Sequence, residues 1–134
     1  MKLFVVSTNP IAGGRFVDTE RFPKLEFIAE SPSLAIPNLK NLTLQEQSIP
    51  GRGNENRTAW AFRLELAPED APGLKTVTTS NVLKRFLITI GDEPVFAATI
   101  NGPLGIGVLE IKCEQRARME FLKEKLATVK RVGQ

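Results

Sequence analysis

Asn101 to Gly107, NGPLGIG, puts three glycines and a proline into seven positions, and glycine at that density is what a phosphate-binding loop is made of. Such a loop needs a strand before it and, after it, a helix whose free N–H groups face the anion. The next residues are instead VLEIKC, 108–113, a β-branched and extended run. No Lys-Ser or Lys-Thr stands where a Walker-type loop requires one, and Gly102, Gly105 and Gly107 do not have G-x-G-x-x-G spacing. The stretch therefore reads as a connection between strands. Its glycines supply positive φ and close backbone approach, and Pro103 fixes one corner.

Other reactive side chains are few. The chain has no histidine, so it holds no Ser-His or Cys-His nucleophile pair and no imidazole metal ligand. Its one cysteine, Cys113, rules out an internal disulfide and argues against a thiolate metal cluster. With no histidine to activate it, Cys113 reads as a small hydrophobe closing a strand, although a cation such as Lys112 or Arg116 could lower its pKa. Tyrosine is absent too. Glu69 and Asp70 are neighbours, and Asp18 and Glu20 lie two apart; neither pair announces the separation a glycosidase needs, and the positive end of a helix accounts for Glu69 and Asp70. These readings point away from catalysis, cofactor and metal. An enzyme built on carboxylates or arginines around Asp18, Arg52 and Arg57 is the minor alternative.

The remaining candidates are cationic. The net charge of +3 is concentrated after residue 109, where seven basic residues face four acidic ones. That is a mildly basic terminal segment without interleaved stacking aromatics, so nucleic acid is not the expected partner. Arg52, Arg57, Arg116 and Lys123 are the candidate contacts to another protein. No run approaches the ~20 apolar residues that span a bilayer. The apolar start Leu3–Val6 is shorter than a secretory h-region. The location is then either cytoplasmic, or periplasmic with an export signal removed.

The elements that must position these residues belong to one domain, 1–134. Residues 1–47 are punctuated by proline and glycine and suit short strands such as KLFVVS, KLEFIA and NLKNLTL. In the last of these, Leu39, Leu42 and Leu44 keep no strict period. Residues 48–57, SIPGRGNENR, read as an exposed loop. From 58 onward the pattern sharpens. Trp60, Phe62, Leu64 and Leu66 alternate with Ala61, Arg63 and Glu65, which predicts a half-buried strand. Pro68, with Glu69 and Asp70, predicts the first turn of a helix that Pro72 and Gly73 keep short or irregular. RFLITIGDEPVFAATI predicts two strands about a turn at residues 91–94, and Ala97 and Ala98 imply close packing over the second. Met119, Leu122, Leu126 and Val129 form one helical stripe over a sheet, and Glu114 and Arg118 make an i,i+4 pair.

From Trp60 onward the chain resembles the head part of the first periplasmic domain of SecD, the bacterial protein-export subunit. The residues that carry this are Pro68, Glu69, Asp70 and Ala71, then Thr78 and Asn81, Gly91 and Asp92, Ile100, Asn101 and Pro103, and Gly107. Departures from that pattern are Leu83 where glycine is usual, an inverted Asp-Gly turn, and no proline about Thr99. The resemblance implies an α+β fold of ferredoxin-like character: a mostly antiparallel sheet covered by a C-terminal helix and a shorter one. It also implies a stand-alone envelope module that contacts polypeptides without catalysis, working through a sheet edge or groove. The alternative within binding is an immunity protein that neutralises a bacterial toxin.

Overall fold

Lys2–Val5 (β1) and Arg85–Ile90 (β7) bury consecutive residues, Leu3 and Phe4 in the first and Phe86 to Thr89 in the second, rather than alternating ones. Such runs are what a strand covered on both faces requires. The two pair antiparallel, with Leu3 opposite Ile88 and Phe4 opposite Leu87. Leu3, Phe86 and Ile88 enter the main core, while Phe4 and Leu87 point the other way into a second, smaller one.

The computed structural model describes residues 1–17, 26–51, 53 and 56–132. The order of elements begins with β1, then β2 (Arg15–Val17), β3 (Glu26–Ile28), β4 (Leu34–Ala35), β5 (Asn38–Pro50) and β6 (Asn56–Leu66). After them come α1 (Ala71–Ser80), β7, β8 (Glu93–Thr99), β9 (Val108–Cys113), α2 (Arg116–Ala127) and β10 (Lys130–Arg131). The chain is α+β and mostly antiparallel, as its patterning predicts. Its strands divide between two four-stranded sheets, ordered β4-β1-β7-β8 and β10-β5-β6-β9, and a two-stranded ribbon β2-β3. Among the described residues only β10 against β5 is parallel.

The main core lies between the sheets and the helices. It gathers Leu3 and Ile88 from one sheet, Phe62, Leu64 and Ile111 from the other, Leu74 from α1, and Met119, Leu122 and Leu126 from α2. The predicted stripe on α2 is thus buried, and it continues into Val129. The second core is Phe4, Val6 and Leu87 under Val17 and Ile28 of the β2-β3 ribbon. Arg85 of β7 holds that ribbon at its edge, its Nε 3.2 Å from both carboxylate oxygens of the buried Glu26.

Some expectations change, and one irregularity finds its cause. Residues 48–57 are not one loop: 48–50 are the end of β5 and 56–57 the start of β6, with Pro50 paired to Asn56. Cross-strand backbone bonding, which composition does not reveal, outweighs the polar sequence. The irregular leucines of β5 have a simple cause. Lys40 is an extra residue, because Leu39 pairs with Leu66 and Asn41 with Glu65, and this bulge resets the phase so that Leu42 and Leu44 join Leu64 and Phe62 on one face. The first helix starts at Ala71 rather than Pro68, and Pro72 occupies its first turn, where a missing N–H costs nothing. Lastly, Glu114 precedes α2 and pairs with Arg57 at 3.8 Å, not with Arg118.

Candidate binding groove

At one side of the molecule the edge strands of the two sheets, β8 and β9, face each other across an open groove of about 660 Å³. Phe96 and Ala98 of β8, Ile100 and Leu104 of the connecting segment, and Val108 and Leu109 of β9 give it an apolar lining, with Arg63 and Glu110 at its polar margin. Arg63 and Glu110 stand directly opposite in the β6–β9 ladder, so the two charges sit side by side. Ile106, 79% exposed, stands among the groove's lining residues.

The NGPLGIG segment is a strand connection, as its sequence predicts, but it joins strands of different sheets instead of closing a hairpin. α1 fixes its position. Thr78 donates its hydroxyl to the Leu74 carbonyl at 2.8 Å and accepts from the Leu104 N–H at 2.9 Å. Gly107, at φ 72°, packs so tightly on α1 that an added Cβ would lie 2.8 Å from the Ala71 Cβ, and its carbonyl accepts the Leu66 N–H. Pro103, Thr78, Ala71 and Gly107, which carry the resemblance to SecD, therefore belong to one connected unit.

The outer edge of β8 is held by α2. Val95 is the extra residue of a bulge, since Ile88 pairs with Phe96 and Thr89 with Pro94. Its carbonyl accepts from the Arg118 guanidinium. A turn and more further along α2, Lys125 reaches Glu93 at 2.7 Å, and the hydrogen bond to that carboxylate raises the Lys125 pKa. The opposite end of β7 shows strain. Leu83 adopts φ 71° with 77% of its surface exposed, in a backbone region that L-residues avoid.

Of the residues singled out by sequence, Arg52, Asp18 and Glu20 lie outside the described residues. Arg57 is exposed on β6 and pairs with Glu114. Arg116 opens α2, lies 5.9 Å over the Trp60 ring and reaches Glu120 at 3.7 Å. Trp60 is directly opposite Cys113 in the ladder, so Arg57 and Arg116 gather at one end of β9. Lys123 is exposed two turns along the outer stripe of α2. Of the described ones, Arg57, Arg116 and Lys123 do not line the groove.

Sequence reading singles out residues 101–107 as a strand connection and not as a site, and of the remaining groove residues it marks Ala98, whose small size signals close approach. Cys113 is half-buried, and burial raises its thiol pKa. The cation pulling the other way is Arg118, not Lys112 or Arg116, and it is the weaker effect. Asp70 has an Oδ2 buried with no hydrogen-bond partner among the described residues, and burial, then the neighbouring Glu69, raises its pKa. Among the described residues no three His, Cys, Asp or Glu side chains gather to hold a metal ion, and no helix is long and apolar enough to cross a membrane.

No protein-family model and no curated protein matches the chain. Among solved structures, one of SecDF, described as a membrane component that enhances protein export, is similar at a TM-score of 0.47 and 13% identity. The similarity covers 90% of this chain and 60% of that one, so the chain spans less than two thirds of that structure's length, and likeness at this level is a weak similarity of fold.

Proposed function

We propose that the chain is a protein-binding domain without catalytic activity, and that it receives an extended apolar polypeptide segment in the groove between β8 and β9. The observation that supports this reading is the groove itself, an apolar slot bordered by two sheet edges with a solvent-facing Ile106 among its lining residues. A guest strand there gains main-chain hydrogen bonds from an edge and burial of alternate side chains in the slot. Exposed apolar surface in such a setting is a common mark of a recognition site. On the sequence resemblance from Trp60 onward, the compartment is the bacterial envelope and the partner a polypeptide in transit or an envelope protein.

The test is fluorescence anisotropy with labelled ten-residue peptides, one set alternating apolar and small polar residues, the other charged and of equal length. The apolar set should bind with a Kd of roughly 10 μM, as suits a small interface. Ile106→Asp, at a side chain 79% exposed, should weaken that at least about fivefold while leaving the melting temperature within a few degrees. Equal binding of both peptide sets, or an affinity that Ile106→Asp does not change, would sink the reading.

A further inference from the structure

The strand β5 has a free edge whose sequence is complementary to itself. β10 covers only Asn38 and Leu39, with the Val132 N–H donating to the Leu39 carbonyl. Past that point no strand among the described residues flanks β5 opposite β6. Thr43 to Ser48 are all exposed. Leu44 is 38% exposed although it stands opposite the fully buried Phe62.

The direction of the backbone groups can be worked out from the ladder. The Leu66 N–H donates to Gly107, toward β9. By alternation, Glu65, Arg63 and Ala61 of β6 then face β5 and bond to their partners Asn41, Thr43 and Gln45. Leu42, Leu44 and Glu46 must therefore turn their N–H and C=O groups to the open side. In agreement, the Leu42 N–H donates to the Asn41 side chain at 2.9 Å, a local substitute for a strand partner.

Edge strands are normally defended by charges, prolines or bulges. From Asn41 to Ile49 this edge carries Glu46 as its only charge. The segment NLTLQ reads alike in both directions as amide, Leu, Thr, Leu, amide. We propose that a second copy of this chain adds its own β5 antiparallel to this edge, across a two-fold axis at Thr43. Leu42 then meets the partner's Leu44, Asn41 meets the partner's Gln45, and each pair occurs twice, as an isologous contact requires. The leucine pairs are hydrogen-bonded positions, and the two threonines form the close pair at the axis. The exposed Leu44 gains an apolar neighbour on its own face. The charges nearest the ends of this ladder are Lys40 and Glu46, opposite in sign. β6 lies between this edge and β9.

Two measurements on the full chain test it. In sedimentation equilibrium the protein should reach about twice 14.8 kDa at roughly 100 μM, the range of a small interface. Leu44→Lys should remain monomeric there with an unchanged melting curve. In a Cys113→Ser background, Thr43→Cys should form a disulfide-linked dimer under mild oxidation, because close pairs sit within the reach of a disulfide, whereas Gln47→Cys should not. A protein monomeric at every concentration overturns the proposal. So does a dimer that Leu44→Lys leaves intact, or one in which Gln47→Cys links as readily as Thr43→Cys.

Discussion

Leu83 stands at φ 71°, and its side chain is too exposed to repay that conformation through packing. An L-residue there costs about 1–2 kcal/mol, of which glycine returns part through its larger unfolded entropy. Leu83→Gly should therefore stabilise the protein by about 1 kcal/mol in urea unfolding, with an unchanged m-value. If it instead destabilises, Leu83 has a packing role that its exposure hides. The sequence marks this position only as a departure from the glycine of the SecD pattern, and nothing in the structure explains the leucine. At the same scale, the basic candidates stand out by charge, whereas the apolar side chains that line the groove are of types ordinary for a core. Ile106 and Ala98 acquire their significance from exposure and from the sheet edge beside them, and neither quantity is written in residue type.

At the level of elements, patterning worked where one face is wet. β6 shows its alternation plainly because Arg63 and Glu65 face solvent, and α2 shows its stripe because Arg116, Glu120 and Lys123 do. Patterning failed in β5, where the bulge at Lys40 shifts the phase by one and a polar hairpin extends past the sheet. The turn between β7 and β8 is a compromise between the two cases. Gly91 and Asp92 both have positive φ, as a two-residue turn of the primed type requires, so the inverted Asp-Gly order still makes a hairpin, and Glu93 and Pro94 belong to the strand. The connection from β8 to β9 depends on one such position more heavily. Gly107→Ala adds a strained φ and a contact at 2.8 Å with Ala71. A loss of about 2–3 kcal/mol is expected, measured by thermal or urea unfolding, and Ala71→Gly in the same chain should recover part of it. No recovery would mean that φ alone sets the cost.

Across the whole molecule, most of the architecture rests on pairings that no local pattern announces. β1 meets β7 across some eighty residues of chain, and the ion pair Arg85–Glu26 joins residues 59 apart. The alternation of β6 says that one face is buried, but not that β9 lies beside it or that β7 and β8 belong to another sheet. The two cores are also unequal. Among the described residues the ribbon β2-β3 shares a core of five buried side chains and is tied by the Glu26–Arg85 contact and two backbone bonds between Ser7 and Phe27, whereas β6 is embedded in the main cluster. Opening free energy tracks buried apolar contact. In native-state hydrogen exchange the ribbon amides of Val17 and Ile28, which lie in the hydrogen-bonded pairs of the β2-β3 ladder, should thus exchange at least about tenfold faster than those of Phe62 and Leu64. Uniform protection would show that both cores open as one unit.

Arg118, reaching from α2 to the Val95 carbonyl, has a consequence for any visitor to the neighbouring slot. With the bulge clamped on one wall and Thr78 tethering the span that joins it to the other, the host arrives already rigid. The entropy lost on docking then falls almost wholly on the visiting chain. Stiff guests, such as those shortened or constrained by proline outside the paired positions, should gain the most.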